Sequence, residues 1–127
     1  MLKNFDDNPT NASRAIQLWQ ILISKAHNRQ IVTYGIIADL LAYKGAGVLG
    51  EPLGHIMYFC TQNKLPSLTA IVVNAETGLP GDGIIVNGDL NALRENVFNY
   101  NWYGLYPPSE TQFKETWQKA KENNWKI

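Results

Sequence analysis

Three features of the sequence predict a mainly α-helical domain with one small β-hairpin. Apolar residues recur at helical spacing from Asn11 to Gln62. An apolar run at 68–74 then empties into a glycine-bearing turn, followed by a second short apolar run from Ile84. Helical spacing resumes at Asp89 and continues to the end of the chain. A chain of 127 residues is one domain, large enough to bury a core without staples. Residues 1–10 are polar and read as a flexible arm, leaving 11–127 as the folded unit.

Each element has a local reason. In "NASRAIQLWQILISKAHNRQ", Ile16, Trp19 and Ile23 share one side of a helix, and Ala15, Leu22 and Ala26 widen the stripe. Thr33 is a fitting N-cap for a second helix, in which Ile36, Ile37, Leu40 and Leu41 follow at helical spacing up to Gly45. Pro52 lacks an N–H and suits only a first helical turn, so 46–50 reads as a short helix stepped against a longer one at 51–62. Leu53, Ile56, Met57 and Cys60 form the core stripe of that longer helix. "LTAIVVN" reads as a strand, turned by "AETGLPGDG" into "IIVN". Asp89 caps a helix with Leu90, Leu93, Val97 and Phe98 facing inward. "SETQ" at 109–112 has the spacing of a capping box, in which the cap hydroxyl and the glutamine each satisfy a free backbone N–H. It opens a last helix with Phe113, Trp117 and Ala120 inside and Lys114, Lys119 and Lys121 outside. Two short helices followed by a hairpin outline a winged helix-turn-helix with an additional C-terminal helix.

Composition narrows the function. Eleven basic and eleven acidic side chains cancel, so the strongly basic surface typical of nucleic-acid binders is absent from the total. Cys60 is the single cysteine, which excludes an internal disulfide and a cysteine-rich metal site. The start of the chain has no apolar segment of signal-peptide type, and no run approaches a membrane span. The default expectation is a cytoplasmic protein with no membrane contact, no metal and no cofactor. A phosphate-binding loop is not expected either, because neither G-x-x-x-x-G-K-[ST] nor a helix-opening G-x-G-x-x-G is present.

Three segments carry a resemblance. "VTYGIIADLL" at 32–41, "AGVLGEPLG" at 46–54 and "IVVNAETGLPGDG" at 71–83 resemble, in order and at similar spacing, the DNA-binding domain of O6-alkylguanine-DNA alkyltransferases and the alkyltransferase-like proteins. The likeness covers roughly residues 15 to 100. It implies that the glycine turn is the wing of a winged helix, and that Tyr34 stands where the family's tyrosine presses on a phosphate. Contacts to DNA would come from Tyr34, from Ala46, Gly47 and His55 along the stepped helix, and from Thr69 and Gly78 around the wing.

The departures from that family are as informative. Leu68, Thr69, Ala70 and Ile71 stand where the family has Pro, Cys, His and Arg, so the alkyl acceptor, its base and the arginine are missing. A threonine hydroxyl without a neighbouring base is not an activated nucleophile. Gly47 occupies the place of the arginine that enters the base stack, and Lys44 is the only cation between Gln30 and Asn63. Such a surface gains little from counterion release. The expectation is a non-enzymatic, alkyltransferase-like protein that binds DNA weakly. The alternative is the same fold reused for protein contact, through the uncharged helix face and the aromatic segment at 98–106, with Phe98, Tyr100, Trp102, Tyr103 and Tyr106.

Several residues admit two readings. Cys60 is either a displaced nucleophile or a small core residue, and its place on the apolar stripe favours the core. His55 lies off that stripe and reads as a solvated or capping histidine, or else as a base or ligand. Glu76 and Asp82 are an acid pair or ordinary turn residues. Tyr34 contacts DNA or packs beside the helix cap. The segment from 98 to 106 either packs under a loop or anchors a partner.

Overall fold

A computed structural model describes residues 1–80 and 89–124. The chain begins with a 3-10 turn at Phe5–Asp7. Helix α1 (Asn11–His27) opens at a reciprocal cap, in which Ser13 N–H donates to Thr10 Oγ1 at 3.0 Å and Thr10 N–H donates to Ser13 Oγ at 2.8 Å. The Thr10 hydroxyl also donates to Glu110 Oε1 at 2.8 Å, joining the start of the first helix to the start of the last. Ala15, Leu18, Trp19, Leu22 and Ala26 form the buried face of α1.

Strand β1 (Val32–Thr33) leads directly into helix α2 (Tyr34–Leu40), with Thr33 Oγ1 accepting from Ile36 N–H at 3.1 Å as expected of the cap. The chain then makes a 3-10 turn at Ala46–Leu49 and enters helix α3 (Gly50–Gln62), which is the predicted step, with Pro52 in the first turn. Strand β2 (Val72–Val73) follows a 3-10 turn at Leu68–Ile71. Helix α4 (Leu90–Asn99) is capped by Asp89. Helix α5 (Glu110–Glu122) opens on the Ser109–Gln112 capping box.

The architecture is mainly helical with a two-stranded sheet, but the sheet corrects the sequence reading. Val32 pairs with Val72 and Thr33 with Val73, in parallel. The apolar run at 68–74 is therefore not one long hairpin strand. Its first four residues form the 3-10 turn, and only Val72–Val73 are strand. An isolated antiparallel bridge joins Val73 to Pro80, and the run from Ile84 that was to complete the hairpin lies outside the described residues.

Helix α2 is also shorter than predicted, ending at Leu40 rather than near Gly45. It ends as α1 and α3 do. The N–H of Tyr43 bonds the Ala38 carbonyl at 2.9 Å and that of Ala42 bonds Asp39 at 3.2 Å, a Schellman closure. Gln30 and Leu65 close α1 and α3 in the same way onto Lys25 and Cys60. The left-handed positions in the three closures are Arg29, Ala42 and Lys64, with φ between 56° and 57°, and none is glycine.

The core is an aromatic assembly. Trp19 of α1 meets Phe59 of α3 at 5.8 Å, Trp102 at 5.7 Å and Phe113 of α5 at 6.3 Å between ring centres, each edge to face. Trp102 is buried, and its indole N–H donates to the Val97 carbonyl at 2.8 Å. It closes the end of α4 onto α1 and is a core residue, so it is not available to a partner. Helix α3 packs against α1, α5 and the 3-10 turn at 68–71, so it is buried on more than the one predicted stripe. No helix among the described residues is long and apolar enough to cross a membrane.

Truncating Trp102 to Ala is expected to lower unfolding free energy by about 3–5 kcal/mol, the usual cost of emptying a large aromatic site. Tyr106→Ala, at a residue that is 97% exposed, is expected to stay within about 0.5 kcal/mol. Urea denaturation of the two variants checks both values.

Candidate functional site

The parallel pairing decides what the site is. Because Thr33 is level with Val73, the next residue of each strand leaves the same end of the sheet. On one side Tyr34 begins α2, half-buried and packed against the core. On the other, Asn74 begins the turn that was expected to be a wing. That turn is held tightly by its own backbone. Gly78 N–H donates to Asn74 O at 2.8 Å and Asn74 N–H donates to Leu79 O at 2.9 Å. The Asn74 side chain accepts from Glu76 N–H at 2.8 Å. Gly78 has φ of 68°, a conformation that side chains with a Cβ take only with strain, so glycine is favoured there. Arg94 of α4 donates to the Gly78 carbonyl at 3.0 Å and moors the turn. The remaining wing glycines, Gly81 and Gly83, and Asp82 lie outside the described residues.

The 3-10 turn at Ala46–Leu49 packs on both α2 and α3. Gly47 is exposed, and a Cβ built on it would meet no atom within 4 Å. Around it the surface is apolar. Ile36 is 54% exposed and Leu40 64% exposed, one helical turn apart, and Val48 is exposed beside them. Of the four apolar residues at helical spacing, Ile36 and Leu40 therefore face outward. A helix of seven residues buries one short line here, Ile37 and Ala38, and leaves its other apolar residues outside. The charged residues of this region are Asp39, Lys44 and Glu51, all exposed, so the local balance is not basic.

Two of the predicted contacts are not on that surface. His55 was expected in solvent or at a cap, but it is only 4% exposed. Its ring stacks on Trp117 of α5, with centres 4.4 Å apart and planes within 3°. Nδ1 lies 2.6 Å from the Glu51 carbonyl and donates to it, which leaves Nε2 as the unprotonated nitrogen of the neutral ring. Burial holds the imidazole below its ordinary pKa against the opposing pull of Glu51. The burial comes from α5, an element outside the resemblance, so the pattern of α3 alone did not contain it.

Thr69 is 2% exposed and sits in the 3-10 turn, not in a strand. Its hydroxyl has no hydrogen-bond partner among the described residues, so no base among them is hydrogen-bonded to it. Cys60 is buried in the core cluster as expected, and burial pushes its thiol up to about 12. No group of His, Cys, Asp and Glu among the described residues could hold a metal ion.

The aromatic segment divides. Phe98 lies under the Arg29 guanidinium at 5.2 Å, and Arg29 pairs in turn with Glu95 and bonds Asn99. Tyr100 packs on Trp102 with ring centres 4.7 Å apart. Tyr103 is exposed with an edge contact to His27 at 5.3 Å, and Tyr106 stands clear in solvent. Of the five residues considered as a partner site, only these last two face outward. Arg94 was not anticipated. A single arginine on a helix carries no sequence signal, yet its Nε is buried without a partner while its terminal nitrogen holds the Gly78 turn.

In comparisons with known proteins, no family model, no curated protein and no solved structure matches the chain.

Thr69→Val keeps the shape and removes the unpartnered hydroxyl, so it is expected to raise stability by about 1 kcal/mol. An unchanged or lower urea midpoint would show that the hydroxyl does have a partner in solution. Cys60 is expected to react with a thiol reagent only after denaturant is added.

Proposed function

We propose that the chain is a non-enzymatic binding protein of alkyltransferase-like, winged-helix design that associates weakly with duplex DNA. One observation supports this above the others. The Thr33–Val73 pairing sends the tyrosine-led helix α2 and the Asn74–Pro80 turn out from one end of the sheet, although forty residues separate them in the chain. A tyrosine and a wing issuing together are what a winged helix offers a groove. Gly47 adds to this, because bare backbone there permits close approach. The reading assigns no catalytic step. Thr69 is buried with no base hydrogen-bonded to it among the described residues, and Cys60 is a core thiol.

Charge sets the strength. DNA affinity comes mostly from cations that release counterions from phosphates, and this face offers Lys44 against Asp39 and Glu51. Dissociation constants of micromolar or weaker at physiological salt follow, with little preference for alkylated over normal guanine.

A second reading is favoured by the exposed Ile36, Leu40 and Val48. Apolar side chains exposed on a helix and on the turn packed against it suit a protein surface better than a phosphate backbone. In that case the contact is α2 and the 46–49 turn, not the 98–106 segment, whose Trp102 is core.

Binding of fluorescent duplexes, with and without O6-methylguanine, tests both readings in one series. Gly47→Arg is expected to tighten DNA binding and to steepen its salt dependence by roughly one counterion. Tyr34→Ala is expected to weaken it. The double variant Ile36→Lys, Leu40→Lys separates the readings by sign, because it adds cations for DNA and destroys an apolar protein contact. Methyl transfer onto any residue, seen by intact mass, would overturn the non-enzymatic assignment. Undetectable DNA binding by both the wild type and Gly47→Arg would leave the protein reading standing.

A further inference from the structure

The His55–Trp117 stack does more than fill space. His55 belongs to α3, and its two named partners lie on different sides of a boundary. Nδ1–H is given to the carbonyl of Glu51, in the first turn of α3, at 2.6 Å. The ring face is given to Trp117 of α5 at 4.4 Å. One imidazole therefore joins the beginning of α3 to the middle of α5. Tyr58 extends the contact, its ring centre 5.6 Å from that of Trp117.

We propose that His55 is an acid-sensitive latch, which in its neutral form pins α5 against α3 and on protonation loosens that helix pair. The reason lies in what surrounds the ring. The charged residue that acts on the ring is Glu51 of its own helix; Tyr58 of α3 and Lys121 of α5 lie against the other ring of the stack, that of Trp117, and Asn11 of α1 reaches the Glu51 carboxylate. The Glu51 carboxylate is exposed and already accepts from Asn11 Nδ2 at 2.7 Å, so it is drawn outward. Lys121 places its ammonium 5.0 Å from the centre of the same indole. The indole face by itself attracts an imidazolium, but Lys121 already draws on the same ring, and the burial of His55 opposes the charge. His55 as a residue is only 4% exposed, so its charged form loses most of its hydration, which disfavours the proton.

The sign follows from linkage. The folded state binds the proton less readily than the unfolded chain, whose histidine titrates near 6.5. This contribution to stability is complete above about pH 6.5 and falls as the pH drops through that value toward the lower native one. Because Glu51 lies in the first turn of α3, which starts directly after the 46–49 turn, loosening the latch also loosens the edge of the candidate contact surface, whichever partner that surface meets.

The test uses the whole protein. The expected result is that the His55 ring, followed by NMR, titrates below 6.5, that the Trp117 indole signal moves with the same midpoint, and that the urea midpoint drops between pH 7.5 and 5. His55→Phe keeps a ring on Trp117 and cannot take a proton, so its urea midpoint should be nearly flat over that range. The proposal is overturned if His55 titrates at or above 6.5, or only below pH 4.5. It is equally overturned if Trp117 does not respond as the ring titrates, or if His55→Phe keeps the full pH dependence. Should that variant not fold, the wild-type titration with the Trp117 response decides the matter.

Discussion

Everything in this fold is arranged around the indole of Trp19. Its edges and faces meet Phe59, Trp102 and Phe113, which belong to α3, the segment after α4, and α5. Elements separated by as many as ninety residues are thereby referred to one ring. Edge-to-face aromatic contacts are directional, so they fix the angles between helices as well as holding them together. The small sheet is then positioned, not stabilising in its own right. Two residues in each strand supply few hydrogen bonds, and β1 and β2 stay paired because Val32, Val72 and Val73 are buried on the helices.

The division between what was legible and what was not follows the range of the interactions. Thr33, Asp89 and Ser109 were readable as caps because an N-cap is settled within three residues of itself. Pro52 was readable for the same reason. The parallel pairing was not, since "VT" is too short to show a strand period and its partner is forty residues away. The run at 68–74 is apolar throughout, and a buried 3-10 turn and a buried strand leave the same mark in such a run. The end of α2 was missed because the search was for a glycine, and Ala42 takes the left-handed position instead.

The candidate site shows the same limit. Tyr34, Gly47 and Gly78 could be placed near open surface from the resemblance and local pattern, and they are exposed or half-buried. His55 and Thr69 could not, because their burial is imposed from outside. Trp117 covers His55 from a helix that the resemblance does not include. Thr69 is enclosed in a turn that packs on α1, α3 and α4 at once. The exposed pair Ile36 and Leu40 is the converse case. Their spacing is that of a core face, but none of the described residues covers them.

The three helix closures have a consequence for how much the fold could be strengthened. Each puts an L-residue with a side chain into the left-handed region, at roughly 1 kcal/mol of backbone strain relative to glycine. At Arg29 the side chain returns something, through Glu95, Asn99 and the face of Phe98. Ala42 has only a methyl group to offer, and Lys64 is exposed at the corner where α3 gives way to the 68–71 turn. Glycine at 42 and 64 would relieve strain at two helix ends without touching the aromatic core. The sequence thus holds a reserve of stability at its corners, outside the aromatic core, and mutations that cost stability elsewhere could be offset there.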